Sequence, residues 1–365
     1  MDVVGEPMRV VVTGGAGSVG SRVIERLLDR PSTEGQATSD PGAGDPAAAE
    51  GAIEVVGIDR IGRPVEGLAD HHLGDLRSLD LDAIFDGADV VVHLASAYGR
   101  NQFVDASSHD TRAARLVFEA AARSGVGQCV LLSSAMVYGA RAENPIPLTE
   151  HAPLQPAGLA FAESKVTIER LGRDWQAQTG GRLVVLRPST AVARGGSSWV
   201  ARSLQLAAAL SSDSDPDLQF LHLNDLADAV VLTVRQQADG DFNVAPDGWV
   251  RADEVRSLSG RAPRVRIPSW VADEVVRFSW NRGIVATPPG IMPYATFPWV
   301  VANDRLRDLG WEPSYSNVEA YVEGYEARPW AMINAKQRQQ MALGGAAVGI
   351  GTALAVGRSL SRRWR

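Results

Sequence analysis

The stretch Val10-Val11-Val12-Thr13-Gly14-Gly15-Ala16-Gly17-Ser18-Val19-Gly20 decides how the chain folds. Arg9 to Val12 form an apolar run of the kind a strand shows inside a sheet. Val19 to Leu28 carry apolar residues at helical spacing. The glycines sit at the junction. Gly14 allows the tight turn, Gly17 lets a bound group approach the backbone, and Gly20 lets the helix start close to the strand. A helix opened this way points free N–H groups at an anion. Strand, spacing and helix agree on a dinucleotide pyrophosphate held at Gly14, Gly17, Ser18, Val19 and Gly20.

The next strand, Ile53 to Ile58, ends in Asp59-Arg60. An acid here accepts both hydroxyls of the adenosine ribose. Asp59 repels a 2′-phosphate and Arg60 attracts one, and the balance favours NAD over NADP. The gap from Gly20 to Asp59 exceeds the usual spacing of about 20 residues. Residues 31–51 account for the excess. They are rich in Pro, Gly, Ala, Ser and Asp without apolar period, and read as a disordered surface insertion.

Further apolar strands follow at Val90–Leu94, Cys129–Leu132 and Leu183–Leu186, with helical patterns at Ala113–Ser124 and Ser164–Gln176. This alternation predicts an α/β fold: a Rossmann-type, doubly wound parallel sheet with a smaller mixed C-terminal substrate domain. Residues 8–194 are assigned to the dinucleotide-binding domain. Residues 195–335 are assigned mainly to the substrate side, with some elements returning to the sheet, and 336–365 form an apolar and basic tail.

The chain has 365 residues, 45% of them hydrophobic and 22% charged, with a net charge of -7. It is a globular composition without a basic stripe, which excludes nucleic acid as the expected partner. The single cysteine, Cys129, excludes an intrachain disulfide and reads as a buried thiol in a reducing cytoplasm. No secretory signal opens the chain and no His/Cys/Asp cluster has metal-ligand spacing. Met341–Gly357 is uncharged and Ala/Gly-rich, ahead of Arg358, Arg362, Arg363 and Arg365. As a helix it spans about 25 Å against roughly 30 Å for a bilayer core. Membrane contact and packing on the body or a partner subunit both remain open for it.

Several further motifs carry a resemblance to a known family. They are Thr13-Gly14-x-x-Gly17-x-x-Gly20, Gly74-Asp75-Leu76, His93-Leu94-Ala95-Ser96, Ser133-Ser134-Ala135-Met136-Val137-Tyr138-Gly139, Leu186-Arg187-Pro188 and Leu221-His222-Leu223-Asn224-Asp225. With Phe242-Asn243-Val244 and Leu309-Gly310-Trp311-x-Pro313, they resemble the extended short-chain dehydrogenase/reductases, specifically the NAD-dependent epimerase/dehydratase group. The similarity runs from about Met8 to Ala327, and the tail of the match is similar to UDP-glucose 4-epimerase-like members from actinobacteria. It implies NAD along Thr13, Asp75, Leu76, Leu94, Ala95, Ser96 and Pro188, and a nucleotide-linked sugar as substrate. It implies catalytic roles for Ser134 and Lys165, and subunits that pair as a homodimer or heterodimer. His222 and Asp225 read as structural ties between sheet and helix.

The helix Phe161-Ala162-Glu163-Ser164-Lys165 departs from that family. The family uses a Tyr-x-x-x-Lys pair, in which tyrosine moves a proton and lysine binds ribose and lowers the tyrosine pKa. Phe161 stands in the tyrosine position, and no tyrosine lies between Tyr138 and Tyr294. Asp110 stands where the family has asparagine, and Met136 where sugar epimerases often carry a hydroxyl. Three readings follow. One is a working enzyme with another proton carrier, the candidates being Ser134, Glu163, Asp110 and Tyr138. Another is a catalytically impaired NAD-binding protein that serves as sensor or partner subunit. The third is a membrane-associated dehydrogenase of a lipid or sterol alcohol.

Overall fold

Val10 and Val12 point to one side of the first strand and Val11 to the other, and all three are fully buried. A strand apolar on both faces needs cover on both faces, and the fold supplies it. The computed structural model describes residues 7–28, 52–62, 65–97, 106–156, 158–194, 198–210, 216–258, 268–282 and 287–324. The strands are β1 (Met8–Thr13), β2 (Ile53–Asp59), β3 (Asp70–Leu73), β4 (Val90–His93), β5 (Gln128–Leu132), β6 (Arg182–Pro188), β7 (Thr190–Val192), β8 (Phe220–His222) and β9 (Gly240–Val244). Seven of them form one parallel sheet in the order β3-β2-β1-β4-β5-β6-β9. β7 and β8 pair separately, also in parallel.

The main helices are α1 (Gly20–Leu28), α2 (Leu81–Phe85), α3 (Ala106–Arg123), α4 (Ala160–Thr179), α5 (Trp199–Leu210) and α6 (Leu223–Arg235). α1 and α6 cover one face of the sheet, where Val23, Ile24, Leu226 and Val230 pack on Val10 and Val12. α2, α3 and α4 cover the other, where Phe85, Val117, Ile168 and Trp175 pack on Val11 and Val91. A third apolar body gathers Met136, Phe161, Trp199, Tyr294 and Trp299 beyond the strand ends. The strand order reverses between β1 and β4, which opens a crevice at their carboxyl ends. β9 comes from beyond residue 194 yet lies in the main sheet beside β6.

The expected insertion at 31–51 and the tail at 336–365, including Met341–Gly357, lie outside the described residues. Among the described residues no helix is long and apolar enough to cross a membrane.

One buried ionic cluster ties this architecture together. Arg187 on β6 is 1% exposed. Its guanidinium donates to Glu169 of α4 at 2.7 and 3.1 Å, to Asp241 of β9 at 2.9 Å and to the Tyr138 hydroxyl at 2.9 Å. Tyr138 in turn donates to Asn243 at 2.8 Å, and Ser133 at the end of β5 donates to Glu169 at 2.6 Å. Burial works against the Arg187 charge, but Glu169, Tyr138 and Asp241 outweigh it and hold its pKa above the usual value. His222 caps α6 by accepting from the Asn224 amide, and Asp225 accepts the amides of Ser314 and Tyr315. Arg187→Met should destabilise the protein by about 3–5 kcal/mol in urea unfolding, because Glu169 would stay buried with only the exposed Arg173, 3.5 Å away, as a cation. Arg187→Met with Glu169→Met should recover part of that loss.

Candidate active site

Every cofactor-binding and catalytic residue assigned from the sequence, except Thr13, lines one cavity of about 470 Å³ at the crevice. The glycine loop forms one wall. Gly14 has φ +76°, and a side chain there would meet the Ala95 amide of the β4 end at 2.8 Å. A side chain at Gly20 would overlap the Gly14 carbonyl, so only glycine lets α1 begin this close to the turn. The amides of Ser18 and Val19 take no partner within the described chain and border the cavity. Unbonded amides at a helix start are the donors an anionic group needs. The loop therefore fits a pyrophosphate.

Thr13 itself is fully buried and faces inward. Its hydroxyl accepts from the Ala95 amide at 3.4 Å and sits 2.8 Å from His93 Nδ1. It stitches β1 to β4 behind the cavity. Burial, with the Lys165 charge nearby, pushes the His93 pKa down to about 3, so the imidazole is neutral.

Asp59 ends β2 on the cavity wall. One carboxylate oxygen accepts from Ala16 N at 3.0 Å and the other from Ile61 N at 3.0 Å. The carboxylate is fixed in place, and each oxygen keeps a lone pair for a ribose hydroxyl. Arg60 leans toward Asp75 at 3.9 Å. Asp75 is held mainly by Arg77, through two side-chain bonds of 2.9 and 3.0 Å, and also by His109 at 3.2 Å. Arg77 and His109 keep its carboxyl well below the usual range despite partial burial.

The far end of the cavity holds the chemistry-bearing groups. Ser134 follows β5 and opens the short turn Ala135–Tyr138, where its Oγ accepts from Met136 N at 3.2 Å. Its hydroxyl proton remains available to a substrate oxygen. Lys165 on α4 is 7% exposed and donates to the Leu132 carbonyl at 2.8 Å. Burial lowers its pKa, partly opposed by Asp110 and Glu169. Asp110 on α3 accepts from Ser96 Oγ at 2.6 Å and Ala97 N at 2.7 Å.

Phe161 lies on the wall one helical turn before Lys165, its ring centre 5.8 Å from the amine. It meets Trp199 edge-on at 5.0 Å. Trp299 closes the wall, with its ring N–H on the Tyr294 carbonyl at 2.9 Å. Of the other proton-carrier candidates, Glu163 is exposed and outside the cavity, and Tyr138 is spent on Asn243 and Arg187. Burial, the largest influence on Tyr138, raises its pKa to about 12. His109, Ser189, Trp199, Arg202 and Trp299 also line the cavity, and no motif in the sequence marks them. Among the described residues no group of three or more His, Cys, Asp or Glu would hold a metal ion.

A doubly wound sheet with a glycine-loop crevice and a fixed strand-end acid defines a Rossmann-type dinucleotide-binding protein of the extended short-chain dehydrogenase/reductase class. The chain belongs to the NAD dependent epimerase/dehydratase family, which matches residues 10–245. It is 28% identical to the UDP-glucose 4-epimerase of Azospirillum brasilense over 343 residues, 86% of this chain and 90% of that one. Its fold is similar to that of the Thermus thermophilus UDP-glucose 4-epimerase solved with NAD, with a TM-score of 0.60, 20% identity, and 87% and 97% of the two chains covered. MoeE5, solved with UDP-glucuronic acid and NAD, gives a TM-score of 0.62 at 20% identity over 87% and 97%.

Gly17→Asp should weaken dinucleotide binding by on the order of 100-fold or more in calorimetry, since it places bulk and charge against the anion. Unchanged affinity would remove the pyrophosphate from this loop.

Proposed function

We propose that the protein binds NAD in this cavity and carries out epimerase- or dehydratase-type oxidoreduction on a nucleotide-linked sugar. The observation that carries the reading is continuity. A single cavity runs from the glycine loop and Asp59 to Ser134, Lys165 and an aromatic recess. Gly14, Gly17, Ser18, Val19 and Gly20 would cradle the pyrophosphate, and Asp59 the adenosine ribose. Asp75 and Leu76 would border adenine, and Leu94, Ala95, Ser96 and Pro188 the nicotinamide half. When bound, the nicotinamide supplies a reversible hydride acceptor. Asp59 at the ribose, with Arg60 turned toward Asp75, favours NAD over NADP.

The relatives support the substrate class. The similar Azospirillum brasilense protein is a UDP-glucose 4-epimerase, and MoeE5 was solved with a UDP-sugar acid. The recess suits such a ligand. Trp199, Trp299 and Phe161 offer apolar faces for a sugar ring, Ser134 offers a donor for its reacting oxygen, and Arg202 stands on the wall as a cation for phosphate. Ser134→Ala should lower turnover about 10–100-fold with NAD affinity unchanged, as loss of one positioned donor does.

Phe161 favours a second reading, an NAD-binding module without turnover, because its ring has no proton to give. One experiment separates the two. Purified protein and NAD are incubated with a panel of nucleotide sugars in D₂O, and new isomers and deuterium incorporation are followed by NMR, with Phe161→Tyr alongside. Turnover by the natural protein supports the enzyme. Turnover by the tyrosine variant alone supports the binding module. Silence from both overturns the nucleotide-sugar assignment.

A further inference from the structure

We infer that Lys165 is the proton carrier of this site, taking the substrate hydroxyl proton itself, directly or through one water, where the related enzymes use a tyrosine. The inference rests on the oxidoreductase reading above and names the residue that makes it workable without a phenol.

The first support is geometric. Lys165 Nζ is on the cavity wall, with Ser134 lining the same end. It lies 5.8 Å from the centre of the Phe161 ring. A substrate oxygen held by Ser134 against that ring would lie toward the amine, and a general base acts directly or through one water. The amine makes one hydrogen bond to the chain, to the Leu132 carbonyl. Among the described residues the amine makes no other hydrogen bond, which leaves donor positions for a ribose hydroxyl and for a proton in transit.

The second support is elimination among the described residues that line the cavity. Asp59, Asp75 and His109 sit at the adenosine end, and the last two bond each other. Asp110 has one carboxylate oxygen on Ser96 Oγ and the other on Ala97 N. Arg60 and Arg202 are guanidinium groups and do not release protons near neutral pH. With Asp110 held against the β4 end, Lys165 is the ionisable group placed beside the Phe161 ring.

The third is chemical. A lysine works as a base only if its neutral form is populated near neutral pH, and burial moves it that way. The charged groups facing it are Asp110 from α3 and Glu169 from its own helix. Asp110 is neutralised in part by its two donors, and Glu169 by Arg187. His93, from β4, is neutral. No carboxylate pairs directly with the amine to hold it protonated. Composition sharpens the choice, because Lys165 and Lys336 are the only lysines among 36 basic residues. Histidines apart, every other basic side chain among the described residues is an arginine, and Lys165 is the one lysine on the cavity wall.

The step balances. A secondary alcohol of the substrate loses hydride from carbon to bound NAD and its hydroxyl proton to the neutral Lys165 amine, leaving a ketone and an ammonium. Reduction of the ketone returns both.

The test needs no substrate for its first half. Lysine labelled with ¹³C at Cε gives two amine-reporting signals, and Lys336→Arg assigns them. The expected result is a Lys165 signal that titrates well below the ordinary lysine value of about 10.4, in NAD-free and NAD-loaded protein alike. An ordinary titration overturns the inference. The second half uses Lys165→Arg, which keeps the cation and loses the titration. Turnover should fall about 100-fold or more while NAD affinity stays within about fivefold, the signature of a lost base rather than a lost ribose contact. Retained turnover in Lys165→Arg overturns the inference as well. Silence of both the wild type and Phe161→Tyr over the sugar panel counts against the proposed function alone, whereas turnover by the tyrosine variant alone overturns the role of Lys165.

Discussion

The buried guanidinium of Arg187 is the constraint on which the site depends. It sits where β6, β9, α4 and the turn after β5 converge, bonded to Glu169, Asp241 and Tyr138. A charge this deep costs several kcal/mol unless its partners are in place. The elements that supply those partners are therefore held in one mutual arrangement. Glu169 fixes the rotation of α4, and Lys165 lies one turn earlier on the same helix, facing the cavity. Ser133 donates to the same carboxylate at 2.6 Å, so the strand that presents Ser134 is tied to the helix that presents Lys165. The chemistry-bearing residues are positioned by a polar cluster of which only Ser133 reaches the cavity wall.

At the opposite end the constraint is steric. The Gly14 turn packs against the Ala95 backbone, and Gly20 packs against Gly14. Thr13 adds a hydroxyl between the two central strands and leaves the ligand surface to main-chain amides. Under the proposed reading a dinucleotide would be met by backbone at its phosphates and by one hydrogen-bonded carboxylate, Asp59, at its ribose. Both features are rigid before binding, so little ordering cost falls on the complex.

This division explains what was legible in the sequence. The glycine loop, Asp59 and the sheet were readable because each is a local pattern: a spacing of glycines, a strand end, an apolar run. Lys165 and Ser134 were readable through their flanking motif. The recess was not. Trp199 and Trp299 stand 100 residues apart, Arg202 follows an unremarkable polar stretch, and His109 precedes Asp110 without a pattern. They meet only because α5 and the Tyr294–Trp299 segment fold back over the strand ends. Tyr138 is a proton-carrier candidate on sequence, and the structure makes it a hydrogen-bonding partner of Arg187 and Asn243. That role depends on β6 and β9, which arrive 49 and 105 residues later.

Phe161 gathers these strands of reasoning into one physical exchange. A phenol in its place would present a hydroxyl to the recess. The phenyl ring instead packs edge-on against Trp199 and faces the Lys165 amine. Losing the hydroxyl removes a polar group that would compete for the lysine, and it makes the surroundings of the amine more apolar. Both changes disfavour the ammonium form, against the attraction of the ring face for a cation. In a Tyr-x-x-x-Lys site the lysine stays charged and lowers the pKa of its neighbour. In this one the neighbour is apolar, and the same burial that would penalise a fixed charge makes the lysine the group able to exchange a proton. The substitution that removes one acid–base residue thus also creates the environment in which the other can take over the role.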